Sequence, residues 1–375
     1  MEKTQNASAP AVKHDSYWDV MKGIGALCIV LGHCAWGTCG PFVYTFHLAM
    51  FYFIGGFLFK PSHAEDPWRY LGSRFKSVYG RYVLYSFIYI LLHNFFLKIN
   101  FYSTSGGQWA MQPYTLNDVL VNLGNSLLFG TNETLLEALW FVITILMAMC
   151  IFCFIQHGLG KIKNKTWNRI ISWAVYIAIA YVGTFIEMQK LDFTERTQCV
   201  MMCVPLVFLG YKFREYYDKL SKLVKWWLVP LFAAFNLFAL KWTGTFIDFS
   251  KNQIISPIWF YVLSLSGIYM CLGLSQLICK IKPLRWCFAK MGEYSYEIMA
   301  LHFTAFKAAI VLIDIKHPKF LKMDLPSFPT FGGEKYWYLY VLCGVVLPIL
   351  VVSGIRALKK LICGGFKKKE EHLAL

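Results

Sequence analysis

The sequence predicts an all-α, polytopic integral membrane protein of about ten transmembrane helices, with both termini cytoplasmic. Three observations predict it. Of the 375 residues, 57% are hydrophobic and only 15% are charged, against roughly 25% charged in soluble domains. Apolar runs able to cross ~30 Å of hydrocarbon recur along the whole chain, separated by short polar segments. The basic residues fall in alternate connections, which orients the chain by the positive-inside rule.

The elements follow in order. Residues 1–18 form a polar cytoplasmic segment. It does not read as a secretion signal, because no small-residue cleavage pattern follows, Lys22 and His33 interrupt the apolar run, and a second run arrives at once. Spans 20–37 and 42–59 make a hairpin that turns outside near Cys39. Lys60, Arg69, Arg74, Lys76 and Arg81 occupy the inner connection to span 79–97. An outer loop, 98–134, mixes turn residues from Ser103 to Gly107 with aromatics such as Trp109 and Tyr114. Its Asn132-Glu133-Thr134 fits a glycosylation sequon, a match too common to carry weight.

Span 135–156 descends to Lys161, Lys163, Lys165 and Arg169, and span 170–187 rises again. Span 198–211 is short enough to be tilted or partly buried in protein, and it leads to Lys212, Arg214, Lys219, Lys222 and Lys225. Spans 226–241 and 254–279 turn outside and end at Lys280, Lys282, Arg285 and Lys290. Spans 291–313 and 336–356 flank an outer loop, 314–335, that carries Pro318, Pro326 and Pro329. The transmembrane domain thus covers 19–357, and a basic cytoplasmic tail, 358–375, closes the chain.

A net charge of +16 could suggest nucleic acid, but the charge lies in alternate short loops and not on one continuous face, so a nucleic-acid partner is excluded. Twelve cysteines sit mostly inside apolar spans without paired spacing, where they read as small packing residues. Cys34 and Cys39, at the outer turn, are the one pair placed for oxidation. No soluble domain and no internal repeat of the transporter kind is visible.

Ionisable groups inside spans are costly, so each is a functional candidate. Eleven residues separate Lys22 from His33, three helical turns and about 20°, so both leave one helix face roughly 16 Å apart along the axis. His33 lies six residues before Cys39 and His47 eight after it, which gives them comparable depth. His302, eleven residues into the ninth span, rises ~16 Å to a similar layer, and His93 of the third span falls in the outer half. Imidazoles gathered at one level from distant helices point to a lined cavity. No intramembrane carboxylate stands at ligand spacing from His33 or His47, which argues against a metal. Proton transfer suits the set better: a neutral imidazole takes a proton from a hydroxyl attacking an activated acyl group. Lys22, at the inner mouth, would then hold an anionic donor from the cytosol, or else simply snorkel to the interface.

The run from Asp19 through Lys22-Gly23-Ile24 to Gly32-His33, followed by Phe46-His47-Leu48-Ala49-Met50-Phe51-Tyr52-Phe53-Ile54-Gly55-Gly56-Phe57, resembles the opening hairpin of the acyltransferase 3 family. Members are bacterial membrane enzymes that O-acylate sugars of capsules, lipopolysaccharide and exported glycans. Leu139-Trp140-Phe141 and the stretch from Gly292-Glu293-Tyr294-Ser295-Tyr296 to Leu301-His302 match in the expected order. Ala49 stands where many members have Pro, and Gly55 where they have Ser. The resemblance implies that His33 is the essential histidine ending the first helix, that Lys22 is the basic residue eleven earlier, and that His47 belongs to the Phe-His motif. It further implies that Arg74, Lys76 and Arg81 lie in the segment associated with the cytosolic donor.

The resulting expectation is an O-acetyltransferase of the bacterial inner membrane. It would draw acetyl-CoA from the cytosol and modify a hydroxyl of a lipid-linked or exported carbohydrate. His33 would be the general base or a transient acyl carrier, with His47 and His302 orienting the acceptor or stabilising the tetrahedral intermediate. Lys22, Arg74, Lys76 and Arg81 would bind the phosphates of CoA, and no metal is expected. The partners are the lipid bilayer, acetyl-CoA and a carbohydrate acceptor, with a homo-oligomer allowed. The rival from another class is a transporter or flippase for a polar glycan, its path lined by the same histidines.

Overall fold

The computed structural model describes residues 16–34, 36–37, 39–104, 110–130, 133–191, 196–244, 247–249, 253–254, 256–316 and 333–373. The N-terminal half contains α1 (Ser16–His33), α2 (Cys39–Tyr44), α3 (His47–Leu58), α4 (Pro61–Glu65), α5 (Pro67–Arg74), α6 (Gly80–Lys98), α7 (Leu116–Leu127) and α8 (Trp140–Gly160). A five-residue π-helical turn, Phe75–Tyr79, joins α5 to α6, and a 3-10 turn, Thr134–Leu139, leads into α8. The other half contains α9 (Lys165–Met188), α10 (Thr197–Glu215), α11 (Tyr217–Leu220), α12 (Val229–Thr243), α13 (Pro257–Lys280), α14 (Lys282–Glu293), α15 (Ser295–Lys316) and α16 (Gly333–Leu373). The expectation of a helical membrane protein holds, apart from one small antiparallel ribbon, β1 (Ile247–Asp248) with β2 (Gln253–Ile254), in the register Ile247 to Ile254.

Among the described residues six helices are long and apolar enough to cross a membrane, or seven if the pair Tyr217–Leu223 and Trp226–Thr243, bent by 48°, is one span. The three other runs read from the sequence coincide with α1, α6 and α10, helices of 18, 19 and 19 residues. Their polar residues explain the lower apolarity: Asp19, Lys22 and His33 in α1, His93 and Asn94 in α6, and Gln198, Lys212 and Arg214 in α10. A helix shielded by its neighbours needs no apolar face for lipid. α1 and α10 are buried along most of their middle turns.

Close backbone contact fixes the two helices that carry His33 and His47. Where α1 crosses α14, a Cβ on Gly23 would overlap the Phe288 carbonyl, and one on Gly292 would overlap the Asp19 carbonyl. Where α3 crosses α10, Gly56 meets the Val207 carbonyl and Gly210 the Phe53 carbonyl in the same way. Paired small residues let backbones meet where lipid supplies no hydrophobic drive between helices.

The structure departs from the sequence reading in three places. The second span is not one continuous helix: it breaks at Thr45 and Phe46, between α2 and α3. The broken turn is satisfied inside the protein, since Ser264 Oγ donates to the Thr45 carbonyl (3.2 Å) and Asn236 Nδ2 to Thr45 Oγ1 (3.3 Å). Segment 98–134 is more than a loop. Its helix α7, capped by Thr115 and Asp118, lies antiparallel to α6, with Tyr114 bonded to Asn94 at one end and the Leu127 carbonyl to Tyr79 at the other. α7 exposes Leu116, Leu120, Val121 and Leu127, which gives it an outward apolar face. Finally, α16 runs on from the last span as far as Leu373.

Candidate active site

The three histidines singled out by depth do converge. His33 ends α1, and its ring lies 5.2 Å from that of His302 in α15 and 6.0 Å from that of Tyr44. Tyr44 in turn stacks on His47 at 5.3 Å. The helix break places His47 at the first position of α3, where its Nδ1 bonds the Val43 carbonyl across the break (2.7 Å). A carbonyl only accepts, so Nδ1 carries the proton and neutral His47 keeps a lone pair on Nε2. His302 is fixed likewise, with Nδ1 donating to the Met299 carbonyl (2.8 Å) and Nε2 buried without a hydrogen-bond partner.

His33, Tyr44 and His47 line a cavity of about 40 Å³ together with Trp140, Phe141 and Asp248. A second cavity, of about 960 Å³, lies along α8 from Trp140 to Ile151 and is walled by Phe75, Phe129, Met147, Cys150 and Arg196 among others. The eleven helical steps from Trp140 to Ile151 span roughly 16 Å. Trp140 belongs to both linings. Arg196 places its guanidinium 4.9 Å from the centre of the Trp140 ring and donates to the Phe249 carbonyl (3.3 Å).

At its far end the large cavity runs beside a basic segment, none of whose lysines or arginines lines it. Leu71 and Phe75 line it, and Arg74 lies between them in sequence. Arg74 stacks over Tyr70 (5.0 Å), and its Nε is buried without a hydrogen-bond partner. The π-helical turn begins immediately after it, a local winding often found at functional sites. Lys60 and Arg214 add to the field, which acts on His63. Burial, then Arg74, Lys60 and Arg214, holds the His63 pKa below its ordinary value. His63 Nδ1 correspondingly accepts from the Lys60 backbone N–H (3.2 Å). Lys76 is exposed on the same turn.

The other expected donor-site residues sit elsewhere. Lys22 pairs with Asp19 (2.6 Å) and, like Arg74 and Lys76, is not among the residues lining either cavity. Arg81 pairs with buried Glu297 (3.4 Å) and stacks on Tyr296 (3.9 Å), while Arg356 meets the same carboxylate at 2.8 Å. Cys34 and Cys39 keep separate thiols.

His93 belongs to a different cluster. Its Nδ1 lies 3.1 and 3.2 Å from the two Glu133 oxygens, its Nε2 donates to the Gln112 carbonyl (3.0 Å), and its ring stacks on Tyr114 at 3.5 Å. Tyr102 donates to Glu133 at 2.6 Å. This buried group clasps segment 98–134 to α6. Sequence reasoning missed Glu133, Arg196 and Asp248 as well as His63 and Arg214. Only His63 and Arg214 carried a signal, as further cationic or titratable residues in the inner connections.

The family model for an acyltransferase domain matches residues 15–353, nearly the whole chain. No curated protein and no solved structure is similar enough to match.

Proposed function

Because the chain belongs to the acyltransferase 3 family and is a multi-pass membrane acyltransferase, we propose that it moves an acetyl group from cytosolic acetyl-CoA to a hydroxyl of a lipid-linked or exported glycan. We place it in a bacterial inner membrane, with ten spans and both termini cytoplasmic. The observation that carries this reading is Trp140, shared between a long cavity that reaches the basic segment around Arg74 and a small cavity lined by histidines.

The CoA phosphates sit at Arg74 and Lys76, in the field of Lys60 and Arg214, and the pantetheine arm follows the long cavity to Trp140. The route along α8 is preferred to one past Lys22, whose ammonium pairs with Asp19. His33 takes the proton of the acceptor hydroxyl as its oxygen attacks the thioester carbonyl. His47 and Tyr44 border the reacting centre, and His302 orients His33. As the tetrahedral intermediate collapses, the C–S bond breaks, and the proton on His33 passes to the departing CoA thiolate. The products are CoA and the acetyl ester.

The experiment is incubation of purified protein with radiolabelled acetyl-CoA and a glycolipid extract. Parental protein should label glycan, and Arg74→Ala should raise the half-saturating acetyl-CoA concentration about tenfold, the equivalent of one charged hydrogen bond. His33→Ala that folds normally yet labels glycan at the parental rate would sink the reading.

A further inference from the structure

The ribbon supplies part of the wall of the small cavity. Ile247, Asp248 and Phe249 all line it, as do His33 and His47. Ile247 and Phe249 are each 3% exposed, and Asp248 is partly buried between them. The ribbon is held at several points. Ile247 pairs with Ile254, the Ile254 N–H donates to Glu187 (3.3 Å), and the Phe249 carbonyl accepts from Arg196 (3.3 Å). Glu187 itself is buried and paired with Lys190. A side chain on so anchored a segment is placed as firmly as one on a helix.

The polar groups around this space are mostly acceptors. His47 presents the lone pair of Nε2, because Nδ1 is committed to Val43. Tyr44 gives its hydroxyl proton to the Gly32 carbonyl (3.3 Å), leaving its oxygen lone pairs. Asp248 brings a carboxylate. At about 40 Å³ this acceptor-rich space, lined also by Trp140 and Phe141, takes the hydroxyl-bearing edge of a rigid ring and not the whole ring. One hydroxyl goes to the base, and a neighbouring one needs its own acceptor.

Resting on the reading above, we propose that Asp248 selects the acceptor. Its carboxylate takes a hydrogen bond from a second hydroxyl, adjacent to the one being acetylated, and so fixes which hydroxyl faces His33. Asp248 is then a specificity residue, acting on the position of the ester as well as on affinity.

The test uses full-length protein in detergent, radiolabelled acetyl-CoA, and a total glycolipid extract titrated as acceptor. Products are assigned by mass spectrometry after glycosidic cleavage. Asp248→Asn should raise the half-saturating extract concentration about tenfold, as expected for a charged hydrogen bond lost, with a smaller fall in maximal rate. It should also convert a single positional ester into a mixture. Asp248→Glu, which keeps the charge, should retain the single ester at a raised half-saturation. Unchanged half-saturation with one ester in both variants would overturn the inference, as would a fall confined to maximal rate. Parental protein that neither hydrolyses acetyl-CoA nor labels the extract would instead overturn the functional reading itself.

Discussion

The rings of His33 and His302 stand 5.2 Å apart, one at the end of α1 and the other inside α15. His302 has spent its only N–H on backbone carbonyls, and its remaining nitrogen is buried without a partner beside His33. No hydrogen bond joins the two rings here. In the proposed reaction a small turn of the His33 ring would bring its N–H to that nitrogen, which would then orient it as the third member of a catalytic triad does. His302→Ala should lower kcat roughly 10- to 100-fold with little change in the KM for acetyl-CoA. His33→Ala should cost about 10² to 10⁴. Initial rates at saturating and limiting donor separate the two effects; a change in KM alone would contradict the orienting role.

The Glu133–His93 pair makes a prediction about stability. Both members are almost fully buried. Removing one partner of a buried pair leaves an uncompensated polar group and costs about 3–5 kcal/mol, whereas replacing both by apolar residues is often close to neutral. Glu133→Ala should therefore lower the thermal midpoint in detergent markedly. The double variant Glu133→Leu with His93→Leu should recover most of the loss. Equal losses in single and double variants would show that the pairing of these two groups is not what matters.

Gly56 and Gly210 leave no room for a side chain where α3 crosses α10. Gly56→Ala meets backbone, which cannot swing aside, so the helices must separate at a cost of about 1–3 kcal/mol or more. Gly72, around which space is open, is the control, and Gly72→Ala should be tolerated. Yield and monodispersity on gel filtration report both.

The His63 environment gives stability a dependence on pH. Its folded-state pKa lies below the unfolded value, the causes being burial first and then Arg74, Lys60 and Arg214. Between the two values the unfolded chain binds a proton that the folded protein does not. The contribution is therefore full above about pH 6.5 and is lost as pH falls through the folded-state value. His63→Gln should flatten the decline in thermal midpoint between pH 7 and pH 5. An identical slope in both proteins would refute this assignment.

Much of the arrangement is legible in the sequence because helical periodicity converts position into depth. His33, His47 and His302 could be set at one level by counting residues from the turns, and the structure gathers them. Sequence reasoning missed the pairing of Asp19 with Lys22, three residues apart on one helix face, and assigned Lys22 to the donor instead. Asp248, Arg196 and Glu133 are not legible, since each reaches its neighbours from outside the apolar runs, through folds of the chain that no period encodes. The break at Thr45 and Phe46 is hidden for a related reason. An apolar window records side chains, while the break concerns backbone groups satisfied by Asn236 and Ser264. α7, with 12 residues, is too short for a window tuned to whole spans.

The crossing of α1 and α14 also has a mechanical meaning. Gly23 and Gly292 form a pivot near one end of α1, and His33 sits ten residues along, at the tip of an arm about 15 Å long. Each degree of rotation there swings the imidazole by about a quarter of an ångström. A displacement near 1 Å is enough to cost a reaction about two orders of magnitude. The hinge must therefore hold to within roughly four degrees, and the glycines, by locking backbone against backbone, serve as the stiff bearing on which the accuracy of a distant side chain depends.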